Sequence, residues 1–218
     1  MSFIAACIFD LDGVLVDTAK YHFQAWKKLA IKLDINFNEE ENERMKGISR
    51  MDSLDMMLRL DNRECSYKDK QKYCAAKNTW YLDLINDLDK SEILPGIVDF
   101  IEHLKKENVK IALGSASKNA RRILRLVELT DSFDEIVDGN DVIKSKPDPE
   151  VFLKGAELLG VKPQQTIVFE DSAKGIDAAK AGSFKTVGIG SQVHLGHADL
   201  VVDNLLDTTI FDLSKQLI

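Results

Sequence analysis

Ile8-Phe9-Asp10-Leu11-Asp12-Gly13-Val14-Leu15-Val16-Asp17-Thr18 is the stretch whose reading decides the fold. An apolar run from Phe3 to Phe9 stops in two carboxylates spaced i and i+2, followed by a glycine. The run is short, continuous and β-favouring, the pattern of a strand covered on both faces in a parallel sheet. In open α/β sheets, ligands bind beyond the carboxyl ends of the strands. Asp10 and Asp12 are therefore candidate active-site acids. A strand followed by an Asp-Gly turn would explain the dipeptide alone equally well.

The rest of the chain favours the site, because the pattern recurs. Val109-Lys110-Ile111-Ala112-Leu113-Gly114 runs into Ser115-Ala116-Ser117-Lys118-Asn119, and Thr166-Ile167-Val168-Phe169 runs into Glu170-Asp171-Ser172. Between them, Ser145-Lys146-Pro147-Asp148-Pro149 precedes a helical pattern. In a parallel sheet these ends meet at one edge. Asp10, Asp12, Glu170 and Asp171 would then gather beside the Ser115 hydroxyl and the Lys146 ammonium. Hard oxygen ligands of this kind suit Mg²⁺, which works alongside substrate phosphate.

In order and spacing, these four elements resemble the haloacid dehalogenase superfamily of phosphotransferases. Three further stretches resemble its β-phosphoglucomutase family: Asp17 to Trp26, Lys46-Gly47-Ile48-Ser49-Arg50-Met51-Asp52-Ser53-Leu54, and Ser115 to Asn119. The first motif marks only the superfamily; the other stretches are far more specific, and the resemblance spans nearly the whole chain. It implies interconversion of β-D-glucose 1-phosphate and D-glucose 6-phosphate through the 1,6-bisphosphate. A sugar-phosphate phosphatase on the same fold and a non-catalytic sugar-phosphate sensor are the competing readings. The intact acids count against the sensor.

The resemblance also implies roles. Asp10 is the nucleophile that carries the phosphoryl group, because a carboxylate can hold it as an aspartyl phosphate and split transfer into two steps. Asp12 is the general acid/base, with its backbone carbonyl on the metal. Family dehalogenases lack an acid there. Glu170 and Asp171 complete the Mg²⁺ site. Ser115, the Ala116 amide and Lys146 hold the transferring phosphoryl group. Arg50, Ser117, Lys118 and Asn119 take a second, non-reacting phosphate, with Arg50 supplying a bidentate fork. Gly47 lets the backbone approach the sugar. His22 and Lys46 couple substrate binding to closure and to Asp12. Trp26 lines the sugar pocket or fills the helical interior, and Thr18, Ser53 and Lys77 belong to the same binding set. Met51 stands where related mutases often carry an acid, and Gly114 where alanine is common.

Composition sets wider bounds. At 218 residues, 44% hydrophobic and 30% charged, the chain can bury a sizeable core in two domains. A net charge of −7 argues against nucleic acid or an anionic membrane as partner. A phosphorylated substrate then needs a local basic cluster, for which Lys46, Arg50, Lys77, Lys118 and Lys146 are candidates. Cys7, Cys65 and Cys74 show no paired metal spacing and fit a reducing cytosol. No basic n-region opens the chain and no run reaches membrane-spanning length. A cytoplasmic monomer acting on a small sugar phosphate is expected.

Strand and helix alternate only at the two ends of the chain. From Leu94 onward, strands are expected near Val109–Leu113, Glu135–Val137, Thr166–Phe169, Lys185–Ile189 and Leu200–Val202, with helices over Glu150–Leu159, Gly175–Ala181 and Leu206–Leu217 among those between and after them. This is the doubly wound α/β pattern. Residues 18–90 contain no convincing strand. Phe23, Trp26, Ala30 and Leu33 form one helical stripe, Leu54, Met57 and Leu58 a second, and a third helix is expected from Tyr67 to about Leu88. The expected architecture is a Rossmann-like core of residues 1–17 and 91–218 with an inserted all-helical cap of residues 18–90, hinged at Gly13–Thr18 and Ser91–Gly96.

Overall fold

The computed structural model describes residues 4–217, so Phe3, Met1, Ser2 and Ile218 lie outside the described residues. Six strands form one parallel sheet: β1 (Ala6–Phe9), β2 (Lys110–Gly114), β3 (Glu135–Val137), β4 (Thr166–Glu170), β5 (Lys185–Ile189) and β6 (Leu200–Val202). Their order is β3-β2-β1-β4-β5-β6. The chain leaves β1 for β2 on one side and later reaches β4 on the other. The switch in direction opens a crevice at the carboxyl end of β1.

The expected doubly wound sheet is present, and its alternation explains the unbroken apolar runs. Cys7 and Phe9 of β1, Ile111 and Leu113 of β2, and Ile167 and Phe169 of β4 face one core. Ala6 and Ile8, Ala112, and Val168 face another. A strand with both faces buried needs apolar residues at every position. Helices α5 (Ile97–Lys106), α6 (Ala120–Leu126) and α10 (Ile210–Leu217) cover the first face. Helices α7 (Glu150–Leu159) and α8 (Ala173–Ala181) cover the second. Phe9 stacks on Phe169 at 4.6 Å between ring centroids, fixing β1 against β4 just below the acids.

Four helices lie between β1 and α5: α1 (Ala19–Leu33), α2 (Glu39–Glu43), α3 (Arg50–Arg59) and α4 (Tyr67–Leu84). They enclose a third apolar cluster, which includes Trp26, Leu29, Leu33, Phe37, Leu54, Met57 and Leu58. Phe23 is only partly buried against it. The two chain passages between these helices and the sheet run side by side. Val16 pairs antiparallel with Ile93, the Asp17 amide donates to the Glu92 carbonyl at 2.9 Å and the Leu94 amide to the Leu15 carbonyl at 2.9 Å. The Glu92 carboxylate also accepts from Lys20 and Tyr21, each at 2.6 Å.

Two helix boundaries and two short helices differ from expectation. Helix α4 ends at Leu84 rather than Leu88; Ile85 and Leu88 are still buried, but in turns, so their spacing mimicked helix. Helix α10 starts at Ile210, because the Thr209 hydroxyl accepts from the Asp212 amide at 3.2 Å and starts the helix there. Helices α2 and α9 (Gln192–Leu195) had no counterpart in the sequence pattern. Among the described residues, no helix is long and apolar enough to cross a membrane.

Candidate active site

The carboxyl ends of β1 and β4 bring three acids together. Carboxylate oxygens of Asp10, Glu170 and Asp171 lie within 4.8 Å of one another. Lys146 reaches into this group with its side chain fully buried. Its ammonium donates to Asp10 Oδ1 at 2.6 Å and to Glu170 Oε1 at 2.9 Å. Burial works against that charge, but Asp10 and Glu170 outweigh it and hold the Lys146 pKa above the ordinary lysine value. Burial raises the Asp10 pKa well above the carboxylate range; Lys146 opposes the rise, and Glu170, Asp12 and Asp171 add to it. Burial likewise pushes Asp171 up to about 7, with Lys46 opposing and Glu170 assisting.

Crowded, buried carboxylates that resist ionising together fit a divalent cation. A cation would supply the positive charge that one ammonium does not. The surrounding backbone is shaped for these acids. Gly13 has φ +82°, and a Cβ there would overlap the Asp171 carboxylate. At Gly175 a Cβ would overlap the Glu170 carboxylate, whose Oε2 accepts from the Ser172 amide at 3.0 Å. The helix beginning near Ser172 is capped by Ser172 itself, which accepts from the Gly175 amide at 3.1 Å. That leaves both acids free of the capping role.

Asp12 faces the other way, toward the helices. Its carboxylate accepts a short hydrogen bond from the buried Thr18 hydroxyl. His22 Nε2 stands 3.6 Å from Asp12 Oδ1, beyond hydrogen-bond length. His22 Nδ1 lies 2.9 Å from Lys77 Nζ. When Lys77 is an ammonium it can only donate, which makes Nδ1 an acceptor and puts the ring proton on Nε2, facing Asp12. Burial opposes ionisation of Asp12, yet His22, Thr18 and Lys77 together hold its pKa below the ordinary carboxylate value. Lys77 is 1% exposed and sits over the rings of Trp26 and Tyr81, 4.8 and 4.7 Å from their centroids. Burial, with Arg50 adding repulsion, lowers its pKa to about 7.

All the sequence-predicted site residues except Thr18 and Glu170 line one cavity of about 580 Å³ between the helices and the sheet edge. Ser115 is buried, and its hydroxyl accepts from the Ser117 amide at 3.1 Å. The Ser115–Asn119 loop is braced by the segment after β3. The Gly139 amide donates to the Ser117 carbonyl at 3.3 Å, and the Asn140 side chain donates to the Lys118 carbonyl at 3.1 Å. Arg50 enters from the start of α3, which begins there because Ser49 caps the helix by accepting from the Asp52 amide at 3.2 Å. Burial lowers the Arg50 pKa, and no carboxylate is among the groups that oppose it.

Several of the expected site residues also have partners within the protein. Gly47, with φ +76°, lines the cavity and also packs close to the core: a Cβ there would overlap the Ser172 hydroxyl. Lys46 pairs with Asp171 at 3.1 Å and Glu43 at 3.0 Å. The Asn119 side-chain amide is engaged by Asn78 at 3.0 Å. Ser53 is buried and donates to the Ser49 carbonyl at 3.0 Å. Trp26 both lines the cavity and belongs to the helical core. Gly114 is explained by packing, since a Cβ would lie 2.8 Å from Phe152 Cδ1 and 2.9 Å from Ile8 Cγ2. Met51 lines the cavity and packs against the helical core. Sequence reasoning missed Tyr81, which stacks on His22 at 4.1 Å, and also Asn78, Ser145 and Gly175. A glycine at the third position of the helix after Glu170-Asp171 was the one visible signal.

A family model describing haloacid dehalogenase-like hydrolases matches residues 4–182. The chain belongs to the haloacid dehalogenase-like hydrolase family. Among its relatives, a β-phosphoglucomutase of Bacillus subtilis is 44% identical over 94% of this chain and 92% of that protein. A phosphorylated-carbohydrate phosphatase of Thermotoga maritima is 31% identical over 88% of each chain. The crystal structure of a β-phosphoglucomutase from Clostridium difficile superposes with a TM-score of 0.94 at 41% identity, covering 99% of this chain and 97% of that one. The acid cluster, Lys146 and the helical insertion thus sit on a fold shared with the Clostridium difficile structure over nearly the whole chain.

Proposed function

We propose that the protein is a β-phosphoglucomutase that interconverts β-D-glucose 1-phosphate and D-glucose 6-phosphate through the 1,6-bisphosphate. One observation carries this reading. A single cavity is lined by Ser115 and Lys146, which we assign to the reacting phosphoryl group beside Asp10, and by Arg50, Ser117, Lys118 and Asn119, which we assign to a second phosphate. A mutase must bind phosphate at both ends of its sugar. A hydrolase needs only one such set.

Asp10, Glu170 and Asp171 would hold Mg²⁺ with the Asp12 carbonyl. When bound, the cation offsets repulsion between the anionic nucleophile and the anionic phosphate. The remaining work falls to this chain. Asp10 carries a phosphoryl group as an acyl phosphate. Lys146 and Ser115 hold its non-bridging oxygens. Asp12, kept ionised by His22 and Thr18, takes the proton of the attacking sugar hydroxyl as the oxygen bonds to phosphorus. The bond from phosphorus to Asp10 breaks, and its electron pair returns to the carboxylate. The bisphosphate then turns end for end, with Arg50 holding whichever phosphate is not reacting. Asp10 attacks the other phosphate, and Asp12 returns the proton to the leaving sugar oxygen. We place the protein in the cytoplasm as a monomer: three unpaired cysteines suit a reducing compartment, and the proposed steps call on no second chain.

The test is to supply β-glucose 1-phosphate, Mg²⁺ and a trace of bisphosphate while following glucose 6-phosphate and free phosphate together. Isomer with little phosphate supports the mutase. Stoichiometric phosphate would make the protein a phosphatase, like its Thermotoga relative. Neither product, with substrate still raising Tm, would make it a sensor.

A further inference from the structure

One hydrogen bond ties the helical insertion to the sheet edge through residues that the reaction above does not use. Asp52 Oδ2 accepts from Ser145 Oγ at 2.6 Å and from Ser49 Oγ at 2.5 Å. The Ser49 bond lies within the start of α3 and completes its cap. The Ser145 bond joins segments 93 residues apart. Its position in the chain gives it meaning. Asp52 lies two residues after Arg50 and next to Ser53, and Ser145 directly precedes Lys146. The bond therefore links the helix that carries the distal-phosphate arginine to the loop that carries the proximal-phosphate lysine. Ser49, Arg50, Ser145 and Lys146 all line the same cavity.

We infer that the Asp52–Ser145 bond is a strut that sets the separation of the two phosphate-binding sets, and so the partition of the phosphorylated enzyme between sugar and water. The inference rests on the mutase reading. Both fates of the aspartyl phosphate balance in the same way. In transfer, a sugar hydroxyl oxygen bonds to phosphorus, its proton passes to Asp12, and the Asp10–phosphorus bond breaks to regenerate the carboxylate. In hydrolysis, a water oxygen takes the place of the sugar oxygen and inorganic phosphate leaves. Transfer requires a second phosphate seated on Arg50 at a fixed distance. Hydrolysis has no such requirement. A slack strut misplaces Arg50 relative to Lys146, which slows transfer and leaves water attack untouched. Asp52 and Ser145 are positioning residues in this scheme, because neither touches the reacting atoms.

The test compares native protein with Ser145→Ala, Ser145→Thr, Asp52→Ala and the Asp52→Ala/Ser145→Ala double variant, each first shown to fold by its Tm. The ratio of isomer formed to phosphate released should fall about three- to tenfold in Ser145→Ala and Asp52→Ala, the range for one hydrogen bond. The double variant should be no worse than Asp52→Ala, because both changes remove one bond. Ser145→Thr keeps the hydroxyl and should restore the native ratio. Phosphorylation of Asp10 by acetyl phosphate, which has a single phosphate, should be unchanged throughout. An unaltered ratio in Ser145→Ala, additive losses in the double variant, or an equal loss with acetyl phosphate overturns the strut. Native protein that forms no isomer overturns the mutase reading and the strut together, and so is a different result from an isomerising protein indifferent to Ser145.

Discussion

Lys77 is a lysine whose surroundings make its charge negotiable near neutral pH. It is almost fully buried, and its pKa is lowered from the ordinary 10.5 to about 7 by burial and by Arg50. The unfolded chain therefore holds a proton between these values that the folded chain lacks. Unfolding takes up that proton, so this residue makes stability rise with pH from about 7 to 10.5, at up to about 1.4 kcal/mol per pH unit. Below pH 7 both states are protonated and the slope vanishes. Denaturant unfolding of native protein and Lys77→Met across this range should differ by that slope. Superimposable profiles would show that Lys77 keeps an ordinary pKa. Arg50 and Asp12 give complementary predictions. Arg50→Ala should cost the sugar reaction about ten- to a hundredfold, the range for one charge-assisted hydrogen bond of about 1.5–3 kcal/mol, while sparing acetyl phosphate. Steady-state rates with both substrates check it, and equal losses would assign Arg50 to general support of the site. Asp12→Asn should slow sugar turnover by about 10²–10⁴-fold and slow phosphorylation of Asp10 by acetyl phosphate much less, since only a sugar leaving group needs a proton. Rapid-quench kinetics with both donors would show parallel losses if Asp12 merely organised the site.

At the scale of elements, the strand-to-helix turn after β4 makes the sharpest demand on sequence. Gly175 leaves the space that the Glu170 carboxylate occupies. Gly175→Ala should displace Glu170 from Lys146 and from the acid cluster, weakening Mg²⁺ binding as well as stability. Titrating Mg²⁺ while following Tm should show a smaller metal-induced rise than in native protein; an equal rise would mean that Glu170 is not needed for the metal. The same turn shows what was legible beforehand. Strand ends could be read because a strand buried on both faces is written as an unbroken apolar run, and the acids stood at those ends. Helix α2 could not, because its residues Glu39–Glu43 are polar and none is buried. Asn78 and Ser145 could not be found either. Their importance lies in contacts with Asn119 and Asp52, 41 and 93 residues away. Lys46, Arg50 and Ser117–Asn119 were identified through family resemblance, and periodicity alone would have left them as surface polar residues.

Across the whole molecule, the proposed reaction draws on the sheet edge and the helices together. In the proposed reaction the sheet edge supplies Asp10, Ser115, Lys146 and the acid cluster for the reacting group, and the loop after β2 supplies Ser117, Lys118 and Asn119 for the other phosphate. The helices supply Arg50, which we assign to that other phosphate, and His22 and Lys77, which help to hold the Asp12 pKa down. On this reading neither half alone discriminates a mutase from a phosphatase; the pair would, by seating both ends of a bisphosphate in one cavity. The most direct measurement of this claim is a chase of enzyme labelled on Asp10 with [³²P]phosphoryl from acetyl phosphate. Addition of excess glucose 6-phosphate should carry the label into glucose 1,6-bisphosphate and then into both monophosphates, with little inorganic phosphate. Label released chiefly as inorganic phosphate, at a rate indifferent to the sugar, would contradict the account.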